Sequence, residues 1–171
     1  DFTEFTEELL KKFKKPKVSE TDLEEEEESE GSIAIFEREK GAPYLPGEIT
    51  LREYQVLARD NWFKNHKKGI LKMATGRGKT ITSLAIAAEF YRLEKFKCLI
   101  IICPYRHLVT QWEKECKRFN LSPLLAFEKK ESWQTSLEMS LNNLMLNVEP
   151  FVTVITTNKT FSNDQFQKIL K

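Results

Sequence analysis

The run CLIIIC at residues 98–103 constrains this chain more than any other stretch. Six successive apolar side chains without polar alternation suit a strand covered on both faces, and the run is short for a helix. A strand of that kind needs helices above and below it, and the surrounding sequence offers them. From residue 51 onward, helical and strand signals alternate. LREYQVLARDNWFKN (51–65) predicts a helix with Leu51, Tyr54, Val56, Leu57 and Trp62 on or near one face. GILKMA (69–74) predicts a short strand, and TITSLAIAAEFYRL (80–93) an alanine- and leucine-rich helix. After CLIIIC come a helix in HLVTQWEKECKRF, a strand in LSPLLAF, a helix in SWQTSLEMSLNNLMLN, a strand in FVTVITT (151–157) and a closing helix in NDQFQKILK. Strands alternating with helices imply right-handed crossovers and an α/β fold, with a mainly parallel sheet carrying helices on both faces.

The first 44 residues read differently. Phe2, Phe5, Leu9, Leu10 and Phe13 recur at helical spacing and predict an amphipathic helix that ends near Pro16. SETDLEEEEESEGS (19–32) follows, and its block of glutamates repels itself and has little to bury. It reads as a solvated linker; an acidic mimic of nucleic acid is the sharper alternative. SIAIFE (32–37) predicts a short strand, and KGAPYLPGEIT (40–50) a loop punctuated by Pro and Gly. The chain therefore divides at the sequence level into an N-terminal extension with an acidic linker, 1–44, and an α/β unit, 45–171.

Charge follows the same boundary. Residues 1–40 hold 7 basic and 14 acidic side chains, a net of −7, whereas residues 41–171 hold 20 and 12, a net of +8. The basic part is compatible with a polyanionic partner, although such an excess also occurs on surfaces that bind nothing. No apolar run is long enough to span a membrane, and the opening DFTEFTEELL lacks the apolar core of a secretory signal, so a cytoplasmic setting is expected. Cys98, Cys103 and Cys116 have no metal-ligand spacing and are expected to be buried free thiols.

Chemistry concentrates in MATGRGKT, residues 73–80, between a predicted strand and a predicted helix. A phosphate loop needs curled backbone amides, a helix N-terminus facing the anion, and a cation that reaches the outer phosphates. Gly76 and Gly78 permit the positive φ and close approach that a side chain would block. Lys79 is expected to reach the β- and γ-phosphates of ATP and Thr80 to ligate Mg²⁺; these two are the candidate catalytic residues. Thr75, Gly76, Arg77 and Gly78 complete the candidate nucleotide-binding loop. The general pattern asks for glycine where this chain has Met73.

MATGRGKT resembles motif I of superfamily 2 helicases and translocases, in which the position of Met73 is often not glycine. Gln55 in LREYQ, twenty-four residues before Lys79, is similar to the Q-motif glutamine of that superfamily. A glutamine amide sets a donor beside an acceptor and so matches adenine N6 and N7. The resemblance thus implies that Gln55 reads the base and Arg52 assists; Tyr54, an aromatic at helical spacing, reads as core packing rather than adenine stacking. IICPYRHLVTQW (101–112) resembles motif Ia, which implies nucleic-acid backbone contacts near Tyr105 and Arg106; an ordinary solvated arginine is the plainer reading of Arg106, and His107 reads as a loop or capping histidine. VITTNKTF (154–161) resembles the strand and threonine pair used on strand phosphates, which implies roles for Thr156 and Thr157. The overall wording is similar to prokaryotic DEAD/DEAH-type enzymes of the restriction-subunit and repair-helicase kind, some of which carry an upstream nuclease domain.

The resemblance implies the ATP-binding front of the first RecA-like lobe, with nucleic acid, expected to be DNA, and a second RecA-like lobe as partners. Hydrolysis in such motors requires an acidic pair at a strand end, yet the aspartates here are Asp1, Asp22, Asp60 and Asp164, none of which directly follows an apolar strand. The chain is therefore expected to bind nucleotide but to hydrolyse it poorly without the rest of its motor. Competing readings are a helicase subunit of a restriction or anti-phage nuclease, a phosphate-loop kinase or GTPase, and a non-catalytic lobe that binds nucleic acid as a scaffold. Gln55 and Met73 speak against the kinase and the GTPase.

Overall fold

The computed structural model describes residues 39–171; the predicted N-terminal helix, the acidic linker and the SIAIFE strand lie outside the described residues. In chain order the regular elements are α1 (Glu53–Lys64), α2 (Lys79–Glu94), β1 (Cys98–Cys103), α3 (Arg106–Arg118), β2 (Pro123–Ala126), α4 (Gln134–Met145), β3 (Val152–Thr157), α5 (Asn158–Phe161) and α6 (Asp164–Leu170). A short 3₁₀ turn, Lys130–Ser132, leads into α4.

The three strands form one sheet in the order β1-β3-β2, with both pairings parallel. Cys98 stands opposite Val152 and Cys103 opposite Thr157, so the full length of CLIIIC is laddered along β3. All six residues of β3 are buried, as expected for a central strand. Its side chains alternate between two cores. Ile155 points to a core shared with Leu84, Ala85 and Ala88 of α2 and Val109 and Cys116 of α3. Val152 and Val154 point the other way, to Leu137, Leu141 and Leu144 of α4 and Phe166 of α6. The period of two along the strand thus requires helices on both faces, because neither apolar face can be left in water. The predicted α/β class and the parallel sheet are borne out.

Each helix shows why its face turns inward. α3 buries Val109 and Cys116 and packs Leu108 and Trp112 on the same core, while Lys117 pairs with Glu113 and Arg118 with Glu115 on the outer side. α2 carries alanines where it lies closest to the sheet, and Phe90 meets Trp62 and Phe63 of α1 edge-on at ring-centroid distances of 5.8 and 6.3 Å. The 39–50 loop is sewn to this core by the Tyr91 hydroxyl, which donates to the Glu39 carboxylate, and by the Asn120 amide, which donates to the Glu39 and Ala42 carbonyls at 3.0 and 2.9 Å. All three cysteines are free thiols; Cys103 and Cys116 are buried and Cys98 is half-buried.

Two expectations fail. Residues 69–74 form no strand: the segment is irregular, pairs with no strand among the described residues, and leaves Ile70 92% exposed. Apolar character without a neighbouring ladder does not make a strand, since the backbone groups then bond water instead. On α1, the predicted apolar face is not the buried one. Gln55 is the residue that α1 buries, whereas Leu57 is 60% exposed.

Candidate functional site

The 73–80 segment forms a tight loop that hands directly into α2. Gly76 and Gly78 both adopt left-handed conformations, with φ of 77° and 75°. Gly78 is the N-cap of α2 and offers no side-chain cap, so the first amides of a sixteen-residue helix face the loop without an intrahelical partner. That end of the helix carries partial positive charge and suits an anion. At Gly76 a methyl group would meet nothing within 4 Å, whereas at Gly78 it would stand 2.7 Å from Gln55 Nε2. One glycine serves backbone conformation, and the other serves close approach as well.

The Lys79 ammonium donates to the Met73 carbonyl at 2.9 Å and the Ala74 carbonyl at 3.1 Å, closing the loop across its own mouth. Both bonds are solvent-exposed, so an anion of higher charge can take the ammonium from them. Thr80 follows in the first turn of α2, half-buried. Loop amides, helix end, lysine and hydroxyl fit a nucleotide phosphate with its Mg²⁺.

Gln55 is engaged at both ends of its amide. Its amide nitrogen donates to the Gly78 carbonyl at 3.4 Å and to Thr82 Oγ1 at 3.1 Å, and its oxygen accepts the Arg52 backbone N–H at 3.0 Å. Through these bonds Gln55 braces the loop against the start of α1. Tyr54 is no core residue. Its hydroxyl donates to the Arg77 carbonyl at 3.1 Å and accepts from Arg52 Nη1 at 3.2 Å. Two adjacent residues of α1 therefore hold two adjacent carbonyls of the loop. Beside this bracing, a recess of about 640 Å³ opens between α1 and the 69–74 segment, bordered by Tyr54, Leu57, Met73, Ala74 and Arg77.

A second recess, of about 370 Å³, lies at the C-terminal ends of the strands and brings together Tyr105, Arg106 and Thr157. Ligands of open parallel sheets bind at this edge. Tyr105 is the N-cap of α3, 64% exposed, and Arg106 begins the helix. Thr157 caps α5 by accepting the Thr160 N–H at 3.3 Å. Thr156 departs from expectation: it is fully buried, and its hydroxyl donates to the Ala126 carbonyl at 2.6 Å, tying β3 to β2. Successive strand residues face opposite ways, so two neighbouring threonines cannot both line one recess. Sequence reasoning missed Lys130, Lys159 and Asn163, which line it from three different segments. Lys159 sits inside VITTNKTF and was within reach of a motif reading; Lys130 carried no signal.

Among the described residues, no cluster of His, Cys, Asp and Glu could hold a metal ion on its own, and no helix is long and apolar enough to cross a membrane. Burial pushes the Cys98 and Cys116 thiols up to about 12, which makes both poor nucleophiles.

Comparison with known proteins agrees with this geometry. Over residues 48–170 the chain matches the family model described as type III restriction enzyme, res subunit. It is 35% identical over 77 residues to the DNA 3'-5' translocase XPB2 of Sulfurisphaera tokodaii, covering 45% of this chain and 16% of the relative. It is 30% identical over 95 residues to the DNA repair protein RAD5 of Yarrowia lipolytica, covering 56% of this chain and 8% of that protein. The fold is similar to that of a nuclease-deletion mutant of the type ISP restriction-modification enzyme LlaGI, solved in complex with a DNA substrate mimic, with a TM-score of 0.55 at 19% identity over 66% of this chain and 13% of that one. The chain thus spans less than a fifth of the length of these curated relatives. With its parallel sheet, its glycine loop opening α2 and the match over residues 48–170, the chain belongs to the type III restriction enzyme res subunit family, of the helicase and translocase kind.

Proposed function

We propose that this chain is the ATP-binding portion of a DNA helicase or translocase lobe. The carrying observation is the loop itself: Gly78, left-handed and pressed against Gln55, starts an uncapped α2 next to Lys79. A bound nucleotide with Mg²⁺ would supply a phosphoanhydride whose hydrolysis releases free energy. The residues of this chain hold and orient it. Lys79 would turn its ammonium from the Met73 and Ala74 carbonyls to the outer phosphates, and the α2 amides would meet the remaining oxygens. Thr80 would turn its hydroxyl to the metal. Thr75, Gly76, Arg77 and Gly78 line the cradle, and Arg52 stands beside it through Tyr54.

The recess of Tyr105, Arg106 and Thr157 is the proposed contact with DNA. Its cations and hydroxyls suit phosphate oxygens, which give affinity without sequence information. A second RecA-like lobe would close over the nucleotide, and an upstream nuclease would make the assembly a restriction subunit. Of the described aspartates, Asp60 lies in α1 and Asp164 in α6, neither at a strand end, so this chain is expected to bind nucleotide and turn it over slowly.

Titration with a fluorescent ATP analogue in Mg²⁺ tests the reading. Saturable binding is expected, and K79A should weaken it by at least about tenfold, the equivalent of ~1.5 kcal/mol for a lost charged hydrogen bond. Equal binding by K79A would overturn the assignment. Supporting a scaffold instead would take DNA binding with no nucleotide binding at all.

A further inference from the structure

The rings of Tyr105 and His107 lie nearly parallel, 8° apart, with centroids separated by 5.7 Å. Both residues are exposed, and Tyr105 leaves 64% of its surface in water. An aromatic ring this open, at the end of a sheet strand, is not there to fill a core. The backbone accounts for the pairing. Tyr105 is extended, with φ −133° and ψ 149°, and α3 begins at the next residue, so position 105 caps the helix and position 107 lies in its first turn.

What lies beside the pair is equally particular. Tyr105 and Arg106 border the 370 Å³ recess, which Lys130 and Lys159 also line, against one acid, Glu128. Trp133 lines it too; this side chain is 5% exposed, and its Nε1 donor has no hydrogen-bond partner. The recess therefore offers excess positive charge next to an exposed aromatic face.

We propose that Tyr105 and His107 form a base-stacking platform and that Arg106, Lys130 and Lys159 take the adjoining phosphates, so that this edge holds a single strand by a base face as well as by its backbone. The inference rests on the nucleic-acid reading of the recess and goes further, because phosphate contacts alone would not separate a single strand from a duplex. A ring face is available only on an unpaired base, and stacking is tolerant of sequence because every base has one. Tyr105 is the stacking residue. His107 is a positioning residue that holds the tyrosine ring in its plane.

Fluorescence anisotropy of the whole chain with oligo-dT, oligo-rU and a blunt DNA hairpin tests this. The unmodified chain should prefer the single strands to the hairpin. Y105A should lose on the order of 5- to 150-fold for the single strand, the usual range for one stacked base, with its salt dependence unchanged. Y105F should recover most of that loss, because the ring and not the hydroxyl is used. H107A should weaken binding less than Y105A does. K130A and K159A should each lower the salt slope by roughly 0.7, as expected for one phosphate contact on a single strand. Whichever of oligo-dT and oligo-rU binds tighter identifies the polymer, and Y105A should weaken both. If the chain binds single strand and hairpin equally and Y105A loses nothing, the platform is wrong while the DNA contact stands. If no nucleic acid binds at all, both readings fall.

Discussion

Gln55 and Gly78 are fitted to each other: the glutamine amide nitrogen donates to the Gly78 carbonyl at 3.4 Å, and a methyl group on Gly78 would stand 2.7 Å from that same nitrogen. The contact joins α1 to the start of α2, so the shape of the 73–80 loop depends on a residue far from it in sequence. Gly78 is thereby constrained twice, by its φ of 75° and by its neighbour.

The two loop glycines should therefore respond unequally to alanine. Both G76A and G78A pay for a left-handed alanine, about 1–2 kcal/mol. Only G78A must also displace Gln55, whereas the site at Gly76 is open. Urea denaturation should rank G78A as the less stable variant; equal midpoints would mean that the Gln55 contact carries no weight.

Gln55 as a brace predicts a specific pattern of nucleotide affinity. Q55A removes the donor to Gly78 and Thr82 and the acceptor of the Arg52 N–H, all at a residue that is 5% exposed. Stability should fall by about 1–3 kcal/mol for the groups left unsatisfied. Affinities for ATP and GTP should fall by similar factors, as measured by competition against a fluorescent analogue. A loss confined to ATP would instead make Gln55 a reader of the base.

The threonine pair should separate cleanly. T156V deletes a hydroxyl that donates to Ala126 at 2.6 Å inside the sheet, and should cost about 1–3 kcal/mol in stability. Affinity for single-stranded DNA should stay as it was at temperatures where the variant is folded. Weakened DNA binding by folded T156V would mean that the residue reaches the surface after all.

Alkaline pH should unfold the chain through its thiols. Burial raises Cys98 and Cys116 to about 12, above the ordinary thiol value of about 8.5. Their contribution is intact below the unfolded value. Between there and about 12 the unfolded thiols ionise while the folded ones stay neutral, so stability falls by up to ~1.4 kcal/mol per pH unit for each. Urea midpoints followed from about pH 8 to about pH 11 should drop more steeply for the parent than for C98A or C116A. Parallel curves would remove the thiols from the account.

Much of the architecture was legible along the chain because it depends on local chemistry. The apolar run at 98–103 is β1 from end to end, and the alanines of 80–93 belong to a helix that shares a core with it. Gly-Lys-Thr after a small-residue turn marked the loop, since few backbones other than glycine's can curl there. Motif wording carried the family, which the match over residues 48–170 bears out.

Three things were decided only in space. Residues 69–74 are apolar enough for a strand, but a strand exists only when another chain segment supplies its hydrogen bonds, and none among the described residues does so. Tyr54 looked like a core residue, and with Gln55 it became a strut because the loop carbonyls of Arg77 and Gly78 came within their reach. Thr156 and Thr157 are adjacent in sequence and opposite in the sheet. Apart from 69–74, sequence by itself determined which described segments are helix, loop and buried strand, since composition and periodicity act over a few residues. Tertiary structure decided which polar atoms are spent inside the protein and which remain for a ligand, because a hydrogen-bond partner is chosen by distance, and distance across the fold is not written in the order of residues.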